Sequence, residues 1–245
     1  MYDAIEVKRI DVSLVLACYN EEPVFAGSVA RIVKTLQQNP WSFEIIFVDD
    51  KSGDDTASAI NQVCKTYSFC RAIYHKANTG RGRTVGDGIR AAAGTVVGYI
   101  DIDLEVSPVY ISDMVSLILE NSADVVIGKR VYRTSPSSIL REVLSRGYQW
   151  LSDQTVGTGG MDTETGYKFF NRKKILPILA KTVRPGWFWD TEIMVYARGA
   201  GLRIVEYPVL FLRRIDKESS VRIIEDTWDY LVNLWNFRRR IHEST

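Results

Sequence analysis

Three acidic residues alternate directly after an apolar run in the middle of the chain. Asp101, Asp103 and Glu105 follow Val96–Ile100, a β-branched segment that predicts a buried strand. Because side chains of an extended chain alternate with a period of two, the three carboxylates point to one side if the backbone stays extended. Carboxylates this close repel one another unless a cation lies between them, and Mg²⁺ commonly combines carboxylates with substrate phosphates. The pattern predicts a site for Mg²⁺ or Mn²⁺, with a solvated acidic loop as the alternative.

Two other predicted strands also end in polar residues. Val12–Ala17 is followed by Cys18–Glu22, and Phe43–Val48 is followed by Asp49–Ser52. Ligands of open parallel sheets bind beyond the carboxyl ends of the strands, so these clusters would meet the acids after the third strand at one edge. Asp49–Ser52 could instead be a helix-capping turn, since Ser and Asp favour N-caps, and Asn20 and Glu21 could be first-turn residues that interact with the helix dipole.

A segment rich in glycine and arginine, Asn78–Gly88, runs into a predicted helix. It differs from the dinucleotide-binding fingerprint G-x-G-x-x-G, because Gly86 lies four residues after Gly82 and not three. The segment also follows the third predicted strand, whereas the fingerprint follows the first. Backbone N–H groups at a helix N-terminus, together with Arg81 and Arg83, suit a phosphate group. We therefore predict phosphate contacts here; a flexible turn with solvated arginines is the alternative.

The elements that would position these residues alternate between strand and helix, which indicates a mostly parallel sheet with helices on both faces. The predicted strands are Val12–Ala17, Phe43–Val48, Ala72–Tyr74, Val96–Ile100, Val125–Ile127, Tyr167–Asn171 and Arg203–Val209. The predicted helices are Pro23–Leu36, Asp54–Tyr67, Thr84–Ala93, Pro108–Glu120, Ile139–Leu151, Lys173–Lys181, Asp190–Gly199 and Val221–Ile241. No low-complexity linker interrupts them, so we expect a single structural unit.

Composition argues against several classes of function. The formal net charge of +1 over 245 residues gives no reason to expect nucleic acid as a partner. Two histidines, His75 and His242, argue against a His-based zinc site or Ser-His catalysis, and three cysteines without metal-ligand spacing fit a reducing compartment. The N-terminus has no signal-peptide pattern, and no apolar run approaches the roughly 20 residues of a membrane-spanning helix. We therefore expect a cytoplasmic protein.

In order and spacing, these motifs together resemble family 2 glycosyltransferases of the GT-A fold, in particular the branch of dolichol-phosphate mannosyltransferases and polyprenyl-phosphate glycosyltransferases. The resemblance covers about Asp11–Ser220. It rests on Cys18–Glu22, Val48–Ser52, Asn78–Gly88, Asp101–Glu105, Gly128–Arg130, Glu164–Phe170 and Trp187–Glu192. It implies a GT-A catalytic domain over residues 1–220, with residues 221–245 as an amphipathic helix of the same unit. This chain has Gly166-Tyr167-Lys168 where the family usually has Gly-Phe-Arg.

The resemblance also implies roles for individual residues. The nucleotide of a nucleoside diphosphate sugar would be bound by Tyr19, Asn20, Glu21, Asp50, Arg81, Arg83 and Asp101. A Mg²⁺ or Mn²⁺ ion would be bound by Asp101, Asp103 and Glu105. The acceptor phosphate of a lipid would be bound by Lys129, Arg130, Arg141, Arg146, Lys217 and Ser219, although such cations could also form a solvated surface. The implied catalytic residues are Asp103, Arg130 and Asp190.

The implied activity is metal-dependent, inverting transfer of a hexosyl group to a polyprenyl or dolichyl phosphate. A phosphate acceptor is already ionised, so no strong general base is needed. The alternative acceptor is a carbohydrate hydroxyl, which needs a base, and Asp190 or Glu192 would be the candidates. A third possibility is an adaptor that binds nucleotide sugars without catalysis; the intact acids at three strand ends argue against it.

The C-terminal segment carries an apolar stripe at helical spacing, followed by the basic run Arg238–Arg240. The stripe consists of Ile224, Thr227, Trp228, Leu231, Leu234 and Trp235. Interfacial tryptophans beside arginines are typical of a helix on an anionic membrane surface, so we expect peripheral docking on the cytoplasmic face of a membrane. The alternative is that this helix simply covers the core of the domain.

Overall fold

The computed structural model describes residues 9–132, 147–212 and 223–243, and these residues contain one seven-stranded sheet. Its strands are β1 (Val12–Cys18), β2 (Phe43–Asp49), β3 (Cys70–Tyr74), β4 (Val96–Ile100), β5 (Val125–Tyr132), β6 (Tyr167–Asn171) and β7 (Ile204–Phe211). They lie in the order β3-β2-β1-β4-β6-β5-β7. β6 is antiparallel to both of its neighbours, and the other pairs are parallel. The predicted mostly parallel sheet is confirmed.

Helices pack on both faces of the sheet, also as predicted. They are α1 (Glu22–Gln37), α2 (Thr56–Thr66), α3 (Arg81–Ala91), α4 (Ile111–Leu119), α5 (residues 147–156), α6 (Arg172–Leu179), α7 (Trp189–Gly199) and α8 (Ile223–Glu243). α1, α2 and α4 pack on one face of the sheet through Ile32, Ile60 and Met114, respectively. Ile89 and Ile193 bring α3 and α7 onto the other. Each fully buried side chain of this size contributes about 1.5–3 kcal/mol, so the two apolar layers hold the strand ends in place.

The observed elements differ from the predicted ones mainly at β5. The prediction ended this strand at Ile127, but it continues to Tyr132 because it pairs in parallel with β7 along its whole length. Lys129 and Arg130 therefore lie within a strand. α5 continues past the predicted Leu151 to residue 156, and its predicted beginning lies outside the described residues.

The chain turns immediately after β4. Ile102 and Asp103 form a turn that is closed by a 3.2 Å hydrogen bond from the N–H of Leu104 to the carbonyl of Asp101. Leu104 has a φ of 55°, in the left-handed region. The condition under which the three carboxylates would point to one side, an extended backbone through Glu105, is therefore not met.

α8 packs on the domain through one face only. Tyr230, Leu234 and Phe237 are buried against Phe188 and Val195, with T-shaped contacts between the rings of Phe188 and Tyr230 and of Phe188 and Phe237. The predicted stripe is therefore divided, with Leu234 in the core and Trp228 and Trp235 exposed. Within the residues that the structure describes, no helix is both long enough and apolar enough to cross a membrane.

Candidate active site

A cavity of about 320 Å³ opens at the carboxyl ends of β1, β2 and β4. Six of the predicted site residues line it: Tyr19, Glu21, Asp50, Arg81, Asp101 and Asp103. Trp187, from the loop before α7, forms part of the same wall and is half exposed. The structure thus brings together residues from three strand ends, as expected for a ligand site of an open α/β sheet.

Asn20 organises the loop beside this cavity. Its φ is 55°, its N–H donates to Ser52 Oγ at 3.0 Å, and its Oδ1 accepts from the N–H of Gly53 at 2.8 Å. These bonds tie the turn after β1 to the turn after β2. Asn20 is not among the residues that line the cavity, so its predicted contact with the nucleotide remains a prediction.

Asp50 lies at the end of β2 and is almost completely buried. Its Oδ1 accepts from Thr79 N and Oγ1, both at 2.8 Å, and from His75 Nδ1 at 2.7 Å, while Oδ2 accepts from Gly80 N at 2.8 Å. Burial tends to raise the pKa of Asp50, but the hydrogen bonds from His75, Thr79 and Gly80 outweigh it and hold the pKa below its usual value. Asp50 is therefore a fixed carboxylate in the wall of the cavity.

Gly80 allows the backbone at the start of α3 to lie close to the backbone of Pro185. Its φ of 92° favours glycine, and a Cβ at this position would lie 2.8 Å from the carbonyl oxygen of Pro185. The next residue, Arg81, begins α3 with its side chain against the cavity. The predicted helix N-terminus thus lies beside the cavity, but α3 begins at Arg81, three residues before the predicted Thr84.

Arg81 connects two carboxylates. Its Nη2 donates to Asp101 Oδ1 at 2.6 Å, and its Nη1 donates to Asp190 Oδ2. The guanidinium also lies over the rings of Tyr99 and Trp187, at 5.5 and 5.0 Å from their centroids. These contacts fix the side chain, so Arg81 adds a positive charge to the cavity in a defined position.

Asp190 is buried and surrounded by donors. Lys168 Nζ donates to its Oδ1 at 2.6 Å, and Arg81 and the hydroxyl of Tyr99 also donate to it. Burial tends to raise the pKa of Asp190, but the charges of Arg81 and Lys168 outweigh it and hold the pKa below its usual value. Asp190 therefore remains an ionised partner of two cations, which makes it a weak general base.

Lys168 is not among the site residues predicted from the sequence, yet its side chain is completely buried. Besides Asp190, its Nζ donates to the carbonyl of Thr165. Burial lowers the pKa of Lys168 and outweighs the attraction of Asp190. The sequence does contain a signal for this buried ion pair: a lysine lies within the otherwise apolar strand Tyr167–Asn171, and a buried lysine needs a carboxylate partner.

Glu192 is also buried and fully engaged. Its Oε2 accepts from the N–H groups of Val183 and Arg184, both at 3.0 Å, and its Oε1 accepts from Arg240 Nη1 at 2.8 Å. It therefore orders the loop before α7 and ties that loop to α8. Glu192 is not among the residues lining the cavity.

The acidic run does not assemble the predicted group of three metal ligands. No group of three or more His, Cys, Asp or Glu side chains in the described part of the chain is placed to hold a metal ion. Asp101 and Asp103 line the cavity, whereas Glu105 is not in its wall. Two carboxylates still fit Mg²⁺ or Mn²⁺, since such ions often take one or two protein carboxylates together with phosphate oxygens and water.

The predicted acceptor cations of β5 are paired with acids. Arg130 donates through Nε and Nη2 to Asp162 at 2.8 and 2.7 Å, and Glu164 lies 3.6 Å from the same guanidinium. Lys129 pairs with Glu206 at 3.0 Å and is more exposed. Neither residue lines the cavity, so binding of an acceptor phosphate by them remains a prediction.

The other predicted cations stand apart from this cavity. Arg83 is mostly exposed and bonds to Asp87 at 2.9 Å on the outer side of α3. It is not a residue of the cavity wall, so its contact with a donor phosphate remains a prediction. The remaining candidates lie outside the described residues: Arg141, Arg146, Lys217 and Ser219.

Comparison with solved structures identifies the fold. The chain superposes on glucosyl-3-phosphoglycerate synthase from Mycobacterium tuberculosis in complex with uridine diphosphate, with a TM-score of 0.70 and 19% identity, over 94% of this chain and 80% of that one. It also superposes on Staphylococcus aureus TarS in complex with UDP-GlcNAc, with a TM-score of 0.60 and 17% identity, over 92% of this chain and 65% of that one. The chain has the GT-A fold.

Comparison with characterised protein sequences finds several glycosyltransferases among the relatives of this chain. A glycosyltransferase of Haloferax volcanii, AglD, is 28% identical over 231 residues, which is 92% of this chain and 37% of AglD. The dolichyl-phosphate beta-glucosyltransferase ALG5A of Trichomonas vaginalis is 30% identical over 207 residues, which is 80% of this chain and 64% of ALG5A. The chain thus spans less than two thirds of either relative.

The family itself follows from a match over most of the domain. The sequence pattern of glycosyl transferase family 2 matches residues 13–177, more than half of the chain. This range includes the ends of β1, β2 and β4 that form the cavity. The chain belongs to glycosyl transferase family 2.

Proposed function

We propose that this protein transfers a hexosyl group from a nucleoside diphosphate sugar, with UDP as the nucleotide, to a polyprenyl or dolichyl phosphate, with inversion at the anomeric carbon. The observation that carries the proposal is the cavity itself, in which Asp50, Asp101 and Asp103, after β2 and β4, meet Arg81 at the start of α3. UDP is the nucleotide in complexes of two structural neighbours, and the lipid phosphate is the acceptor in the names of several relatives.

The donor would lie along this cavity with its nucleoside between Tyr19, Glu21 and Asp50. Tyr19 is half exposed at the cavity wall, so its ring is available for stacking on a base. Arg81 is held by four side chains in a fixed position, and its charge would stabilise the diphosphate as it departs.

Asp101 and Asp103 would hold a divalent cation next to the diphosphate. Such an ion supplies Lewis-acid stabilisation of the leaving group. One structural neighbour, the glucosyl-3-phosphoglycerate synthase, was solved with Mn²⁺ and with Mg²⁺, each time together with uridine diphosphate. Asp101 also bonds to Arg81, so its charge would be shared between the ion and the guanidinium.

The hydrogen bonds of Asp190 and Glu192, the two candidate general bases, argue for a phosphate acceptor. Transfer to a sugar hydroxyl requires a base that reaches the hydroxyl proton. Asp190 accepts from Arg81, Lys168 and Tyr99, and Glu192 accepts from two backbone N–H groups and Arg240. Because both carboxylates are held in these bonds, neither is free to take a proton from a sugar hydroxyl. A phosphate acceptor is already ionised and needs no base, so its transfer depends on positioning and charge stabilisation. Lys129 and Arg130 are our candidates for its binding.

We further propose that the exposed face of α8 brings the enzyme to the cytoplasmic surface of a membrane. Trp228, Val232 and Trp235 recur at intervals of four and three residues, so they share one face, opposite the buried Tyr230, Leu234 and Phe237. Arg238 lies over the ring of Trp235, at 5.6 Å. Exposed tryptophans beside arginines suit the interface of an anionic bilayer.

A donor and acceptor screen tests the proposed activity. The protein is incubated with labelled UDP-hexoses, Mn²⁺ or Mg²⁺ and a polyprenyl phosphate, and labelled lipid is extracted and counted. We expect labelled lipid that depends on the divalent ion. Transfer to free sugars with none to lipid phosphate would instead support the hydroxyl acceptor. Donor binding without any turnover would support the adaptor.

A further inference from the structure

A chain of hydrogen bonds links the C-terminal helix α8 to the loop before α7, residues 180–188. Arg240, on α8, donates from Nη1 to Oε1 of Glu192 at 2.8 Å. The other oxygen of Glu192, Oε2, accepts from the N–H groups of Val183 and Arg184, both at 3.0 Å. The side chain of Glu192 is completely buried, whereas that of Arg240 is about one-third exposed. Arg240 is therefore the cationic partner of a buried carboxylate that holds the loop.

The same loop reaches the cavity at its other end. The carbonyl of Pro185 accepts from the N–H of Arg83, in the first turn of α3, at 3.0 Å. Trp187 forms part of the cavity wall, and the guanidinium of Arg81 lies over its ring, 5.0 Å from the centroid. Only four residues separate Val183 from Trp187. The bonds that Glu192 makes to the loop therefore help to determine where Trp187 lies.

The bonds between Glu192 and the loop depend on Arg240. Breaking a buried ion pair by removing one partner leaves the other charge without compensation in the protein interior. The carboxylate of Glu192 would then turn toward water or toward another donor. Such a movement weakens its bonds to the N–H groups of Val183 and Arg184, because both converge on one oxygen. Loss of Arg240 should therefore loosen the loop.

α8 has further attachments to the domain, so the effect of Arg240 can be separated from release of the helix. Tyr230, Leu234 and Phe237 are buried in the apolar contact with α7. The hydroxyl of Tyr230 also lies 2.9 Å from Oγ1 of Thr191, on α7. A variant at Arg240 should retain these contacts, with weaker packing near the end of the helix.

We propose that Arg240 is a positioning residue for the donor nucleotide: through Glu192 it holds the loop before α7, and thereby Trp187, in the conformation that the donor binds. The inference rests on the proposed function, because it takes the cavity as the donor site. Without the ion pair, the loop of the free protein would sample more conformations, and donor binding would have to order it. Donor affinity should then fall, whereas the bound complex should react at nearly the same rate.

Arg240→Gln in the full chain separates affinity from rate. We expect the Kd of UDP with Mn²⁺, and the KM of a UDP-hexose, to rise about three- to tenfold, the cost of immobilising one or two side chains. The kcat at saturating donor should stay within about twofold of wild type, because the loop is ordered once the donor is bound. Calorimetry gives Kd, assays of labelled lipid give KM and kcat, and circular dichroism confirms folding. If Arg240→Gln does not fold, Arg240→Lys replaces it and should show a smaller rise in KM with the same unchanged kcat.

Arg203→Gln is the matched control. It breaks a similar ion pair, since Arg203 bonds to the buried Asp124 at 2.9 Å, but this pair precedes β5 and β7 at the opposite edge of the sheet. The control should lower stability and leave UDP affinity unchanged. Hydrogen exchange measures the loop directly: amides of residues 180–188 should exchange faster in Arg240→Gln than in wild type, and as in wild type in Arg203→Gln.

A double-mutant cycle tests whether Arg240 acts through Trp187. Trp187→Ala removes the side chain that the loop presents to the cavity, and it should weaken UDP binding by itself. If Arg240 acts by positioning this side chain, Arg240→Gln should weaken UDP binding little further in the Trp187→Ala background. Independent effects would instead multiply.

The possible failures are distinguishable. The inference is overturned if Arg240→Gln binds UDP like wild type, if it lowers kcat without raising KM, if Arg203→Gln weakens UDP binding equally, or if the effects of Arg240→Gln and Trp187→Ala multiply. In each of these cases wild type still binds UDP, and the proposed donor site stands. If wild type itself binds no UDP, the donor assignment of the proposed function fails, and this inference fails with it.

Discussion

Arg81 Nη2 donates to Asp101 Oδ1 at 2.6 Å, at the edge of the cavity beyond β1, β2 and β4. The backbone of Asp101 is fixed as well, since its N–H donates to the carbonyl of Gly166 at 3.0 Å. A Cβ at Gly166 would collide with the carboxylate of Asp101, so glycine at this position leaves room for that side chain. The other end of the guanidinium bonds to the buried Asp190. One arginine thus couples the proposed metal ligand to the interior.

The first prediction concerns this coupling. In Arg81→Lys the positive charge is kept, but a single ammonium cannot bond to both carboxylates with the geometry of a guanidinium. We expect UDP affinity to fall about tenfold or more, and the free energy of unfolding to fall by roughly 1.5–3 kcal/mol, the range for hydrogen bonds to charged groups. Calorimetry and urea unfolding measure the two effects. Arg31→Lys, at an exposed position of α1, is the control and should change neither.

The second prediction concerns the proposed metal ligand Asp103. Asp103→Asn should abolish transfer and weaken the part of UDP binding that depends on Mn²⁺, because the amide is a poorer ligand for a hard cation. The stability of the fold should change little, since Asp103 lies in the surface turn after β4. Glu120→Gln, an exposed acid at the end of α4, serves as the control. Near-wild-type turnover of Asp103→Asn would exclude the site that we propose.

The acidic run shows which part of the site could be predicted from the sequence. Its position after a buried strand was predictable, because apolar β-branched residues define β4 and ligands bind beyond strand ends. Its conformation was not, since the turn at Ile102 and Asp103 is set by local backbone bonds that residue types do not specify. The alternation of side chains applies only to an extended chain, and the turn after β4 removes that condition for Asp101, Asp103 and Glu105.

The sheet was also predictable only in part, and the hydrogen-bond network of Lys168, Asp190 and Tyr99 was not predictable. Strand–helix alternation predicted the parallel strands, but nothing in the pattern of Tyr167–Asn171 indicates that β6 inserts antiparallel between β4 and β5. That insertion places Lys168 opposite Tyr99 and beside Asp190. The network depends on pairing between residues far apart in sequence, so it could not be read from local spacing.

The third prediction tests whether Glu192 is a base. In Glu192→Gln the amide oxygen can still accept from the N–H groups of Val183 and Arg184, but the ion pair with Arg240 is lost. We expect a lower free energy of unfolding and a kcat for lipid phosphate within about tenfold of wild type, whereas loss of a general base costs about 10²–10⁴-fold. Stopped assays of labelled lipid give kcat. A folded variant that has lost 10²-fold or more would identify Glu192 as a base and favour the hydroxyl acceptor.

The fourth prediction concerns acid stability at Asp124. This buried carboxylate accepts from Lys174 Nζ at 2.8 Å and from Arg203 Nη2 at 2.9 Å, and hydrogen bonds from Arg203, with those from Lys174, hold its pKa well below the usual value. Because the folded-state pKa is depressed, the stabilisation is present above the unfolded pKa of about 3.9 and is lost as pH falls below it toward the folded-state value. Asp124→Asn should therefore cost roughly 1.5–3 kcal/mol at neutral pH and progressively less in acid.

Urea unfolding at a series of pH values measures this difference. Asp55→Asn is a matched control, since Asp55 is an exposed acid that makes no side-chain cap bond at the start of α2. Its effect on stability should be small throughout the series. A constant difference between wild type and Asp124→Asn from neutral pH down to strong acid would contradict the assignment of the stabilisation to the ionised carboxylate.

The last prediction concerns the membrane, and the structure changes which arginines should be tested. Arg240 bonds to the buried Glu192, so replacing it would disturb the packing of α8. Arg238 and Arg239 are exposed on the same helix as Trp228 and Trp235. Arginines near an anionic surface contribute about 1 kcal/mol each, so the double variant Arg238→Gln with Arg239→Gln should bind anionic vesicles about 30-fold more weakly at low salt.

Sedimentation with vesicles containing phosphatidylserine measures this binding, which should decline as salt is added because the charges are screened. The control removes two cations elsewhere, Arg31→Gln with Lys34→Gln on the exposed side of α1, and should bind like wild type. Turnover of the Arg238 and Arg239 variant on a short, water-soluble phosphate acceptor should survive, since neither residue lines the donor cavity. If this variant and Trp235→Ala both bind vesicles like wild type, α8 only covers the core of the domain, and the proposed membrane contact must lie on another surface of the protein.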